Sequence, residues 1–461
     1  MITLSLSEIA QQFSVCQPVA DASFTGISID SRTLVPGNLF VAIAGPNFDG
    51  HDYLAAAIER GAVGAIVNHA PDHCPIPCIA VADTTLALGR IANYWRTRFA
   101  CRLLAVTGSN GKTSTRRLLA SILECACNDP SKVLATKGNL NNAYGVPLTL
   151  FAMNAEHDYA VIEMGMNQMG EIDYLSKMAQ PEVAVITNIT PVHLSGLGSM
   201  ENIAKAKGEI FHGLTADGYA VINWDSPYRE HWLHHLPTQH IMRFGLSLEA
   251  DVRATVISSD HFSIQFTLHY GEQSCDVNLP LPGQHNMLNA LAASAAAIAV
   301  GIPLTTIATG LAAVTPEKRR LETVFVDNDL RVIDDAYNAS PASVKAAASV
   351  LAQMPGQRVL VLADMLELGD DAVALHREVG DDIATLGIDQ IYTYGTLAAE
   401  VSAVIGAQAQ HFNEQAALIA QLKTICQPHT TILIKGSNGM KMINVVNKLL
   451  EFLQPGDQQH D

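Results

Sequence analysis

Charge is scarce in this sequence, and positive charge scarcest. Only 16% of the 461 residues are charged, and 28 Lys and Arg face 45 Asp and Glu. A formal charge of −17 leaves no basic face to neutralise a phosphate backbone, which excludes nonspecific nucleic-acid binding; an anionic ligand must be held by a local cluster. Long apolar runs are missing as well. The nearest, Ala290 to Ile302, is Ala-rich and shorter than the ~20 residues of a membrane helix, so it reads as a buried helix and no membrane span is expected. The segment Met1–Glu8 has neither a basic nor a long apolar region, so a secretory signal is not expected and the chain is assigned to the cytoplasm. Cysteines are few and scattered, at 16, 74, 78, 101, 125, 127, 275 and 426, which gives no disulfide framework. His69, His73, Cys74 and Cys78 form the one metal-like cluster, but Pro75 and Pro77 interrupt it and no second Cys/His pair exists, so it reads as a loop with reduced thiols.

What the sequence does have is 48% apolar residues, with 32 Gly and 20 Pro spread along it, the profile of a globular protein. At roughly 100–200 residues per domain the length suits two to four domains. Three sections separate by pattern. The β-like runs Ile27–Ile29 and Leu39–Ile43, a helical stretch Tyr53–Arg60 and the run Ala65–Val67 suggest a small α/β domain over 1–83. From 84 to 315, the apolar runs Leu103–Val106, Tyr159–Ile162, Val183–Ile186 and Tyr219–Ile222 alternate with helical stretches, as buried parallel strands do, and a β-rich stretch spans Asp251–Leu279. A second alternating unit over 316–461 has runs at Arg331–Ile333, Val359–Leu362, Gln390–Tyr394 and Thr431–Ile434. The predicted class is therefore α/β in three domains: a small N-terminal α/β domain, a central P-loop-type doubly wound sheet and a C-terminal Rossmann-like domain.

The strongest local signal is Ala105–Ser114, where an apolar run turns through Gly108 and Gly111 into the helical pattern Lys112–Glu124. Backbone N–H groups of Gly108, Ser109, Asn110, Gly111 and Ser114 at a helix start suit phosphate oxygens. Lys112 suits the outer phosphates and Thr113 a Mg²⁺ ion. The loop is a compact variant of the strict pattern, because Val106 stands where the first glycine belongs. Glu163 ends one predicted strand and His193 follows another; carboxyl ends of strands face the ligand crevice, so both are candidate Mg²⁺ partners.

Four segments together resemble the Mur ligases of peptidoglycan synthesis: Thr107–Thr113, Glu163–Gly165, Asn188–His193 and Gly283–Asn289. Within that family, Asp334–Pro341, Leu362–Gly369 and Lys435–Lys441 are similar to the branch that adds D-alanyl-D-alanine. The resemblance implies an ATP- and Mg²⁺-dependent ligase that joins D-alanyl-D-alanine to a UDP-N-acetylmuramoyl tripeptide through an acyl phosphate, acting as a monomer. It implies catalytic roles for Lys112, Glu163, His193 and Lys207, the last as a carbamate and metal ligand; a helix-surface lysine is the competing reading of Lys207. It further implies adenine contacts by Asn286 and Asn289, with helix capping as the alternative for Asn286, a phosphate contact by Arg320 and a ribose contact by Asp335. Substrate contacts are expected from Ser31, Arg32 and Asp49 in the first domain, from Asn139, Asn141 and Asn142 beside the ATP loop, and from Asn338, Asp364 and Lys435 for the dipeptide. Rival readings are another Mur step, folylpolyglutamate synthesis, or an ATP-driven switch protein.

Overall fold

The computed structural model describes residues 2–13, 22–45, 48–192, 194–238, 240–260, 262–315 and 317–454. Its centre is a nine-stranded sheet. In spatial order the strands are Val133–Ala135, Tyr159–Glu163, Arg102–Thr107, Val183–Ile186, Tyr219–Asn223, Ile241–Gly245, Val252–Ser259, Ile264–Tyr270 and Gln273–Leu279. The first seven run parallel and the last two are antiparallel additions. Side chains alternate between two cores, as the strand period of two requires. Leu103, Ala105, Ala160 and Ile162 face one, and Leu104, Val106 and Val161 face the other, against helices Lys112–Cys127, Gln284–Ala299 and Leu304–Ala312. After Arg102–Thr107 the chain builds two strands on one side and then crosses to Val183–Ile186 on the other. That reversal opens a crevice at the carboxyl ends of the strands, where the Lys112 loop sits.

The first section is a parallel sheet in the order Ile27–Ser28, Leu39–Val41, Gly64–Val67 and Cys78–Ala80. Asp83 accepts the N–H groups of Thr85 and Leu86 and so starts helix Thr84–Arg96. That helix bridges to the helices that flank the central sheet: Trp95 Nε1 donates to the Met153 carbonyl (3.0 Å), just past helix Gly145–Phe151, and Asn93 Nδ2 to that of Met178 (2.8 Å) in helix Glu171–Ala179. The last section has the order Glu322–Asp327, Leu330–Asp335, Thr430–Lys435, Gln357–Ala363, Gln390–Tyr394 and Ala409–Phe412, parallel except for the first strand. All eight apolar runs expected in the two larger sections are strands. Val133–Ala135, Ile241–Gly245, Glu322–Asp327 and Ala409–Phe412 are strands without a matching sequence expectation. Val133–Ala135, Glu322–Asp327 and Ala409–Phe412 are edge strands, short or carrying polar residues, whereas Ile241–Gly245 lies inside the nine-stranded sheet with Arg243 interrupting its apolar run.

Candidate active site at the meeting of the central and last domains

The phosphate loop is clasped by the neighbouring strand end. Ser109 N–H donates to the Asn188 carbonyl (2.9 Å), Asn110 N–H to Asn188 Oδ1 (2.9 Å), and Thr187 Oγ1 to the Asn110 carbonyl (2.6 Å). Gly111 has a φ of 78°, and a Cβ there would collide with the Asn289 amide. Glycine is needed at this turn both for its conformation and for the approach of helix Gln284–Ala299. Lys112 is half-buried, and its ammonium folds back onto the carbonyls of Gly108 (2.8 Å) and Ser109 (3.1 Å). Burial chiefly, with Arg320 nearby, pulls its pKa below 10.5, and Glu163 opposes this.

Glu163 is buried at the end of its strand. One carboxylate oxygen, Oε1, accepts from Asn141 Nδ2 (2.8 Å). The other, Oε2, has no hydrogen-bond partner and lies 3.7 Å from Arg116 Nε, which is itself unpartnered. Arg116 Nη2 reaches Glu317 (3.2 Å), so a buried guanidinium links the carboxylate of the central sheet to the start of the last domain. An orphaned buried carboxylate oxygen beside the Thr113 hydroxyl's helix suits a hard cation with oxygen ligands. Among the described residues no group of three or more His, Cys, Asp or Glu forms a metal cage, so such an ion would take much of its coordination from substrate oxygens and water. Lys207 is almost completely buried on helix Met200–Gly208. Burial first, and repulsion from Lys112 second, push its amine well below 10.5. The surface-lysine reading therefore does not hold, and a neutral amine is the form that adds carbon dioxide. His193 lies outside the described residues.

A cavity of about 1410 Å³ lies between the central and last domains. The ATP-loop residues from Ser109 to Ser114 line it, as do Asn139, Asn141, Asn142 and Glu163. Asn286 and Asn289 from the central domain and Arg320, Asp335, Asn338 and Lys435 from the last domain line it too. Asn286 sits three residues past the helix cap Gly283, and its Nδ2 donates to the Pro282 carbonyl (2.8 Å). Arg320 donates to Thr113 Oγ1 (3.1 Å) and stacks over Tyr337, 4.4 Å from the ring centroid. Asp335 and Lys435 form a buried ion pair (2.7 Å), and Lys435 also donates to the Asn338 carbonyl. Beside them, burial above all holds His285 down at about 4; Lys435 lowers it further and Asp335 opposes.

The remaining candidates lie elsewhere. Asp364 is not among the lining residues; its carboxylate accepts the Ala398 N–H (2.7 Å) at the start of helix Ala398–Ile405. Arg32 is 85% exposed and grips Asp30, whose carboxyl it holds at about 2. Ser31 is buried beside it, and Asp49 is exposed and paired with His51 (2.5 Å). Arg116, Glu317, His285 and the Asn188 clasp were not singled out as site residues from sequence. Arg116 carried one readable signal: it stands four residues after Lys112, on the same helix face.

The chain is 40% identical to the UDP-N-acetylmuramoyl-tripeptide–D-alanyl-D-alanine ligase of Escherichia coli K12, over 98% of this chain and 99% of the relative. The chain belongs to the Mur ligase family. Family models match it in three stretches: the Mur ligase family catalytic domain at residues 23–96, the Mur ligase middle domain at 106–297 and the Mur ligase glutamate ligase domain at 319–438. This Mur ligase is also 36% identical to the Bacillus subtilis protein of the same description, over 92% and 93% of the two chains. Its fold is similar to the crystal structure of MurF from Acinetobacter baumannii, with a TM-score of 0.90 and 36% identity over 98% and 99% of the chains.

Proposed function

We propose that this Mur ligase joins D-alanyl-D-alanine to a UDP-N-acetylmuramoyl tripeptide and converts ATP to ADP and phosphate, as a cytoplasmic monomer. The observation that carries the reading is the shared cavity. The Lys112 loop and Glu163 line the same cavity as Lys435 and Asn338, side chains suited to a small zwitterionic peptide, and one Glu163 oxygen lacks a hydrogen-bond partner there. Near-full-length identity to ligases of that description supports the substrate pair.

A carboxylate is a poor acyl donor because oxide is a hopeless leaving group. Transfer of the γ-phosphoryl group of ATP to the tripeptide carboxylate releases ADP and forms an acyl phosphate. The free amine of the dipeptide then attacks the acyl carbon, loses a proton, and phosphate departs. Lys112 and the loop N–H groups from Ser109 to Thr113 bind and orient the phosphates, and Arg320 neutralises charge from the opposite domain. Thr113 and Glu163, with Lys207 as its carbamate and His193, would hold Mg²⁺, which supplies charge neutralisation at the transferring phosphoryl group. Asn286 and Asn289 contact adenine, and Asp335 the ribose. Asn139, Asn141 and Asn142 lie on the acceptor side, and Ser31, Arg32 and Asp49 bind the uridine end. Contact between the last domain and the loop keeps water from the acyl phosphate.

The test is phosphate release from ATP with UDP-N-acetylmuramoyl tripeptide, comparing D-alanyl-D-alanine with D-alanine, glutamate and diaminopimelate, with the product weighed by mass spectrometry. Release and a dipeptide-sized mass gain are expected only with D-alanyl-D-alanine. Another amine serving equally well overturns the substrate assignment, and ATP hydrolysis indifferent to every amine returns the switch-protein reading.

A further inference from the structure

Two thiols meet in the first domain, outside the ATP cavity. Cys74 Sγ and Cys78 Sγ stand 3.1 Å apart, about 1 Å beyond the ~2.05 Å of a bonded pair. Among the described cysteines no other two are in contact: Cys275 and Cys426 point their sulfurs at the carbonyls of Leu304 and Leu422 instead. The two positions differ in how firmly they are held. Cys78 opens the strand Cys78–Ala80 and is aligned with Ala65 in the sheet. Cys74 belongs to the stretch 68–77 that joins two neighbouring strands, and Pro75 and Pro77 narrow the turn between the sulfurs. Both thiols are half-buried against the small core of Leu34, Phe40, Ala57 and Val67. No metal explains the pairing, since His69 and His73 do not join the sulfurs in a ligand group.

We propose that Cys74 and Cys78 are a reversible redox dithiol, oxidised to an intramolecular disulfide by low-molecular-weight disulfides and restored by thiols. The Cys74 thiolate attacks one sulfur of the small disulfide; a mixed disulfide forms on Cys74 and the first small thiolate leaves. Cys78 then attacks Cys74 Sγ, the Cys74–Cys78 bond forms and the second small thiolate leaves. The two protons lost by the cysteines end on the two released thiols, and two electrons pass from the protein to the small disulfide. Cys74 is the attacking sulfur, because burial and the neighbouring thiol push Cys78 up to about 12. Cys78 is the resolving one. The stretch they would fasten also braces the domain: Asn68 N–H donates to His51 Nε2 (2.9 Å), the His51 ring stacks on His69, and His51 Nδ1 meets Asp49.

The full-length protein is incubated in buffers of rising glutathione disulfide to glutathione ratio, quenched with an alkylating agent and cleaved with trypsin. Residues 61–90 form a tryptic peptide with these two cysteines and no others. At high ratio this peptide is expected to lose two hydrogens, accept no alkyl group and return to the doubly alkylated form after dithiothreitol. Cys78→Ser is expected to stop at a single glutathione adduct on Cys74. A wild-type peptide that stays doubly alkylated at every ratio overturns the proposal. So does one that stops at one or two glutathione adducts.

Discussion

Lys112 does two jobs at one position. Its ammonium braces the loop it belongs to by bonding Gly108 and Ser109, and in the proposed reaction it is a cation that binds the ATP phosphates. Lys112→Ala should therefore abolish phosphate release. It should also lower unfolding stability by about 1.5–3 kcal/mol, the range for hydrogen bonds made by a charged group. Calorimetry beside a turnover assay checks both, and turnover near the parent's would sink the phosphate assignment. His285 gives a second residue-scale expectation. The folded chain keeps it neutral down to about pH 4, whereas an unfolded histidine takes up its proton near 6.5. Between those values the unfolded state binds more protons, so stability falls as pH falls through the window. His285→Gln should flatten that acid limb in melting temperatures measured from pH 7 to 4.5; an unchanged slope would place its cause elsewhere.

At the scale of elements, what was legible in the sequence was what is local. The turn from Arg102–Thr107 into Lys112–Cys127 announces itself through Gly108, Gly111 and Lys112, and Glu163 through its place at the end of an apolar run. The partners were not legible. Arg116 and Arg117 look alike in sequence, yet the first is buried between Glu163 and Glu317 and the second reaches outward to Thr315. Only the packing of another element separates them. The same holds for Asp335 and Lys435, a hundred positions apart in sequence but side by side at the ends of paired strands. Removing one partner of a buried pair leaves an uncompensated charge, typically about 3–5 kcal/mol. Asp335→Asn and Lys435→Met should each destabilise the protein by that order, and the double variant by much less than their sum. Additive losses in denaturant melts would show that the pair does not act as a unit.

Across the whole molecule, three side-chain hydrogen bonds among the described residues tie the last domain to the phosphate loop and the helix that follows it. Arg320 meets Thr113, Ser340 meets Asn110 (3.0 Å) and Arg116 meets Glu317. Sequence patterning finds most strands of the two larger domains but not these ties, because nothing periodic encodes a contact between separate layers. The cations that line the cavity are each engaged by protein atoms: Lys112 by carbonyls, Arg117 by Thr315 and Glu124, Lys435 by Asp335 and Arg320 by Thr113. These few cations sit inside a molecule of net charge −17. An anionic substrate therefore approaches against the long-range field and finds attraction only on arrival, the reverse of an electrostatically steered encounter. Salt screens that outer repulsion over a Debye length of about 10 Å at 0.1 M while leaving the recessed contacts largely intact. Stopped-flow association of a fluorescent ATP analogue should quicken as potassium chloride rises from low concentration to about that level. A rate that falls instead would mean that the cavity mouth, and not the whole surface, sets the field an arriving nucleotide meets.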